Sequence, residues 1–120
     1  MQLKELLTSM LHQVDGGYAV MLMGYDCIAI DEVISKDLDF DVQAIVVQFG
    51  TVINEIRNAT DLLGAGEMEE SIITTTNARV VVRVLSDEFF AAFVIARQGN
   101  LGKARFVLRS KALQLVETVG

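Results

Sequence analysis

Two short segments constrain this chain more than any other feature: YAVMLMGY at residues 18–25 and FFAAFVIA at residues 89–96. Each is apolar at nearly every position and lies between turn-forming residues, so each reads as a strand covered on both faces rather than one with a wet side. Such strands belong in the interior of a sheet. Both fall far short of the roughly 18 residues that a membrane span needs. With 120 residues, 52% of them apolar, the chain forms one domain over 1–120 with a genuine core.

The other elements follow from periodicity. Leu3, Leu7, Met10 and Val14 recur at helical spacing, widened by Leu6 and Leu11, and predict a helix over about 2–13 that stops at Asp15-Gly16-Gly17. Ile28 to Ile34 pairs with the first apolar strand as a hairpin through Asp26-Cys27. From Asp41 to Leu63 the period becomes helical again, with Ile45, Phe49, Val52, Ile56, Ala59 and Leu63 in alternating steps of four and three. Asp41 is placed to cap this long helix, and Gly64-Ala65-Gly66 ends it. Three strands follow, Glu67–Thr75, Ala78–Leu85 and Phe89–Arg97, joined by links short enough for antiparallel hairpins. The first of them is polar and reads as an edge. Asn100 opens a last helix striped by Leu101, Ala104, Leu108, Ala112, Leu115 and Val119. The order is αββαβββα, an α+β chain.

Sixteen acidic residues against ten basic give a net charge of −6, the wrong field for a nucleic-acid surface. One cysteine, Cys27, and one histidine, His12, make neither an intrachain disulfide nor a Cys/His metal cluster. Asp37, Asp39 and Asp41 alternate like the first ligands of a calcium loop. The loop then fails, because Val42 stands where Gly is needed and Gln48 where Glu is needed. QGNLGKA resembles the end of a P-loop, but Arg97 replaces its first Gly and Ala104 its Ser or Thr. No catalytic set, cofactor motif or metal motif is legible, so the expectation is a protein that is not an enzyme and carries no cofactor. The opening MQLKELLTSMLHQV mixes charge with leucine, unlike a signal peptide, and a cytoplasmic location without membrane insertion is expected.

Two features resist a purely structural reading. Val42, Val46, Gly50 and Ile53 form a second apolar stripe on the long helix, and one sheet covers one face. A partner subunit would cover the second, although loops of the same chain could do so. Gly50 within a helix costs about 1 kcal/mol relative to Ala, which a close backbone neighbour would explain. The start of the last helix carries Gly102, Lys103 and Arg105 where carboxylates are favoured. Lys103 and Arg105 read either as contacts for an acidic partner or as side chains that reach solvent or internal carboxylates.

In this order of elements the chain resembles the roadblock family of dynein light-chain proteins and bacterial MglB-like regulators. The match is strongest in FFAAFVIARQGNLGKARFVLRSKAL, the family's apolar strand, Leu-Gly element and basic-apolar helix. ATDLLGAGEMEESIITTT is similar to the end of its long helix and the polar strand after it, and YAVMLMGYDCIAID to its first hairpin. Cys27 departs from the pattern, since family members often place Gly in that turn. The resemblance implies a profilin-like, five-stranded antiparallel sheet in spatial order two, one, five, four, three, with the long helix on one face and the terminal helices on the other.

It also implies dimers, with self or with a roadblock paralogue, formed by pairing third strands and packing long helices side by side. Ser71, Ile73 and Thr75 would then lie on the pairing edge, and Val46, Gly50 and Ile53 at the helix pair. The family binds Ras-like small GTPases or holds protein assemblies together, and MglB-like members accelerate GTP hydrolysis without donating a catalytic side chain. Gly50, Asn54 and Arg57 become candidates for partner contact. The expected function is a dimeric regulator of a Ras-like GTPase; a scaffold or adaptor of the dynein light-chain kind is the alternative. A small-ligand sensor with a pocket between sheet and helix is a third reading.

Overall fold

The computed structural model describes residues 2–35, 38 and 40–119. Its elements are α1 (Leu3–His12), β1 (Gly17–Gly24), β2 (Ala29–Ile34), α2 (Val42–Leu62), β3 (Glu70–Thr74), β4 (Ala78–Val84), β5 (Phe89–Ala96) and α3 (Leu101–Val119). The strands form one antiparallel sheet in the order β2-β1-β5-β4-β3. The expected α+β topology is therefore present, with the two doubly apolar strands as central neighbours and β2 and β3 as edges. Among the described residues no helix is long and apolar enough to cross a membrane.

Side-chain alternation divides the core into two layers. Phe89, Ala91, Phe93 and Ile95 of β5, with Val20 and Leu22 of β1, face α1 and α3. Phe90, Ala92 and Val94 of β5, with Ala19, Met21 and Met23 of β1, face α2. Every residue of β5 is buried. Helix α1 contributes Leu6, Leu7, Met10 and Leu11 to the first layer, and α3 contributes Ala104, Val107, Leu108 and Leu115. At about 1.5–3 kcal/mol for each large side chain removed from water, these contacts dominate the favourable side of folding.

The β1–β2 turn explains the departure at Cys27, which takes a left-handed backbone with φ of 68°. A glycine would adopt this conformation without strain; another L-residue gives up roughly 1–2 kcal/mol there. The turn is closed by the Gly24 N–H donating to the Ile28 carbonyl at 3.0 Å and by Asp26 Oδ1 accepting from the Ile28 N–H at 3.1 Å. Its Cys27 Sγ then lies 3.6 Å from Thr51 Oγ1 on α2.

Helix α2 starts as expected, with Asp41 Oδ1 accepting from the Ala44 N–H at 3.0 Å, and unwinds into Gly64 at φ 69°. Asp37 and Asp39 lie outside the described residues. The assignment of its two stripes is reversed from the expectation. Val42, Val46, Gly50 and Ile53 are the buried residues of α2, and the three side chains join Met21, Met23, Val80, Val82 and Phe90 in the core. The stripe from Ile45 to Leu63 faces aside. Gly50 faces its own sheet, where a Cβ would stand 3.6 Å from Cys27 Sγ and 3.7 Å from the Phe90 ring. Four of the residues assigned to a partner thus belong to the chain's own core.

Those distances are ordinary van der Waals contacts, so Gly50→Ala should raise stability by about 0.5–1 kcal/mol in urea titration, through helix propensity. Gly50→Arg should instead lose at least about 2 kcal/mol, because a guanidinium would be driven against Phe90. An arginine variant as stable as the parent would show that this face of α2 is not packed on the sheet. Asp41→Ala should lower stability by about 1 kcal/mol through the lost cap, and an unchanged denaturation midpoint would remove the cap from the account.

Candidate partner-binding surface

With one row of α2 on the sheet, the other row is only partly covered by the chain, Phe49 packing at the margin of the α2-side core. At roughly 100° per residue, the row of Ile45, Phe49, Val52, Ile56, Ala59 and Leu63 is centred about a quarter-turn from the buried row. It looks sideways along the sheet. Val52 is 51% exposed, Ile56 40% and Leu63 80%. Ile45 and Phe49 line one wall of a cavity of about 480 Å³ whose other walls include Phe40, Val42, Ala78 and Val80. Since Ala78 and Val80 belong to β4, the stripe is turned toward the β3 edge. Gln48, Thr75 and Asn77 are the polar side chains around this cavity.

The β3 edge lies beside it. The Thr75 N–H donates to the Ala78 carbonyl at 2.8 Å, and the Val84 N–H donates to the Glu69 carbonyl at 3.0 Å. Antiparallel pairing alternates, so Ser71, Ile73 and Thr75 point their backbone groups inward at β4, whereas Glu70, Ile72 and Thr74 point theirs at the open edge. The expected edge set is displaced by one residue. Thr75 lies past the strand end, where its hydroxyl accepts from the Ala78 N–H at 3.1 Å and closes the β3–β4 turn. Ile73 packs into the α2-side core. Ile72 is 39% exposed.

Arg57 and Asn54 lie off the stripe. The Arg57 guanidinium lies 4.1 Å over the Tyr25 ring and donates to Asp87 Oδ1 at 3.3 Å, tying α2 to the end of β1 and to the β4–β5 turn. Tyr25 in turn leans on Phe90, with ring centroids 5.3 Å apart. Its hydroxyl is buried without a hydrogen-bond partner among the described residues. Burial pushes the Tyr25 phenol pKa up; the Arg57 cation opposes this and the Asp87 carboxylate adds to it. Arg57 is a structural strut in this chain. Asn54 is half-buried, about half a turn round α2 from the stripe.

At the start of α3, Asn100 Oδ1 accepts from the Lys103 N–H at 3.0 Å, so a cap satisfies the helix end where the sequence shows no carboxylate. Arg105 is already paired, its guanidinium 2.9 Å from Glu70 Oε1. Lys103 Nζ lies 5.3 Å from the Phe106 ring centroid. Of the two readings of this basic pair, the internal carboxylate therefore holds for Arg105. His12 is exposed at the end of α1, and Cys27 is half-buried.

The residues that sequence reasoning missed are the partly exposed stripe and Ile72. Alternating steps of four and three mark the 3.5-residue seam by which helices pack on helices, a signal available without coordinates.

By sequence, no family profile and no curated protein matches the chain. Solved structures do match. MglC from Myxococcus xanthus superposes with a TM-score of 0.68 at 28% identity, over 96% of this chain and 97% of that one. A structure described as MglB with tetrameric arrangement gives 0.83 at 14% identity, over 96% and 85%. The Roadblock/LC7 domain from Streptomyces avermitilis gives 0.74 at 14% identity, over 97% and 99%. The latter two share the fold, and MglC adds end-to-end likeness of sequence. Element order, sheet topology and whole-length likeness to all three agree: the chain has the roadblock fold.

Proposed function

We propose that this chain is a dimeric docking module for a Ras-like small GTPase, acting on it without contributing a catalytic side chain. The observation that carries the reading is the pairing of a partly exposed apolar row on α2 with an open strand edge at β3, both directed to the same side of the molecule. Apolar surface of this extent, next to unpaired backbone groups, is what a second copy or a roadblock paralogue would cover. The MglB structure with tetrameric arrangement supports self-association as a property of this fold.

Pairing through Glu70, Ile72 and Thr74 would continue the sheet from one copy to the next, while the α2 rows close over it. The side of α2 that remains in solvent is polar, with Gln48, Thr51, Glu55 and Asn58 exposed. These four side chains take the place of Gly50 and Arg57 as the surface offered to a GTPase, because Gly50 faces the core and Arg57 is held by Tyr25 and Asp87. Such a module acts by holding the GTPase's own residues in position, which accords with electrostatic and positional control of phosphoryl transfer.

Sedimentation of the protein alone should give twice the chain mass, and mixing with a Ras-like GTPase from the same source should give a complex that depends on the bound nucleotide. Single-turnover hydrolysis with and without the protein then separates regulator from adaptor. Binding with unchanged turnover supports the scaffold alternative, and no binding to any such GTPase overturns both. Val52→Asp with Ile56→Asp should weaken the dimer at least tenfold while circular dichroism stays unchanged, since both side chains are exposed in the single chain. Undiminished association would remove the α2 row from the interface.

A further inference from the structure

Helix α3 carries a charge opposite to that of the chain as a whole. Four basic side chains, Lys103, Arg105, Arg109 and Lys111, stand against Glu117 alone between Leu101 and Val119, although the net charge of the chain is −6. Arg105 is tied to Glu70. Lys103 and Arg109 make no ion pair among the described residues, and Arg109 is exposed. Beside these two cations the helix also exposes Phe106 at 50% and Leu113 at 70%. Ala104, Leu108 and Leu115 hold α3 to the sheet, and at roughly 100° per residue Phe106 and Leu113 lie about half a turn away from them, on the outward side.

The outward order Gly102, Phe106, Arg109, Leu113 and Val116 steps by four, three, four and three. That is the 3.5-residue seam along which one helix lies on another. A guanidinium at the middle of such a seam needs a carboxylate opposite it, because covering a cation without a partner is strongly disfavoured. We propose that this seam is a docking site for an acidic amphipathic helix of a partner protein, with a carboxylate set against Arg109 and apolar side chains against Phe106 and Leu113. Lys103, at the first turn, adds a second contact of the same sign. A lipid surface is the poorer fit. Helix α1, packed beside α3, exposes Glu5, Ser9, His12 and Gln13 rather than apolar residues, and the acidic remainder of the chain would be repelled by anionic headgroups. The α3 seam lies across the sheet from α2, so the site is separate from the dimer and GTPase reading above.

The probe is a fluorescent helical peptide of three heptads, with leucine at each first position and glutamate at each fourth, titrated with the full chain and followed by anisotropy. A twin peptide carries lysine in place of glutamate. The glutamate peptide should bind about tenfold more tightly than its twin, and less tightly as salt rises. Arg109→Glu should reverse the preference, and Leu113→Asp should weaken the glutamate peptide about tenfold. Circular dichroism should stay unchanged in both, since both side chains are exposed. Val52→Asp on α2 should leave peptide binding within twofold. Absence of binding, equal affinity for the twins, a preference that survives Arg109→Glu, or loss in Val52→Asp each overturns the proposal. Binding to phosphatidylserine vesicles that Leu113→Asp abolishes also overturns it, by making a lipid surface the occupant. Sedimentation of Arg109→Glu should match that of the parent, whichever oligomer the parent forms; a changed oligomer would place the seam in self-association instead.

Discussion

Everything in this fold depends on two adjacent strands that have no wet face. β1 and β5 bury side chains in both directions, so the sheet needs a layer above and a layer below. One side is served by two helices, α1 and α3, whose leucines meet the aromatic and branched residues of β5. The other side has one helix. α2 lies over β1, and beside it the apolar side chains of β4 border a cavity instead of a second helix. The α2-side residues of the central strands are nonetheless buried in the single chain, Met21, Met23, Val82 and Phe90 completely. What the chain leaves open is the outer row of α2, where Val52, Ile56 and Leu63 are exposed.

Most of the architecture was legible in the sequence because its signals are local. The start of α2 could be read from Asp41, its end from the glycines after Leu63, and the centre of the sheet from strands apolar at every position. The rotation of α2 about its own axis was not legible. Two apolar rows a quarter-turn apart satisfy the same periodicity, and which of them meets the sheet depends on a tertiary contact, the approach of Phe90 and Cys27 to Gly50. The glycine was read as facing a neighbour's backbone, whereas it faces the chain's own hairpin and the Phe90 ring. The parity of β3 was hidden for a related reason. Face and edge alternate along a strand, and a shift of one residue exchanges them without altering composition.

Two guanidinium groups beside this surface hold elements together. Arg57 joins α2 to the β4–β5 turn, and Arg105 joins α3 to β3. Surface pairs of this kind add little stability individually. Their effect is positional: they fix how the helices lie on the sheet and keep guanidinium groups from serving as free contacts.

The two edges of the sheet differ in how open they are to an added strand. On β2, the Lys4 ammonium from α1 binds Asp31 Oδ1 at 2.7 Å and the Glu32 carbonyl at 2.6 Å, while Gln43 from α2 donates to Glu32 Oε1 at 2.8 Å. The Ser35 N–H donates to the Tyr18 carbonyl at 2.7 Å, and by alternation the Glu32 carbonyl is one of the groups an incoming strand would need. A lysine already holds it. Strand addition at β3 would thus consume the one permissive margin and leave both outer margins clasped, so growth by sheet extension terminates at two copies instead of propagating into a fibre.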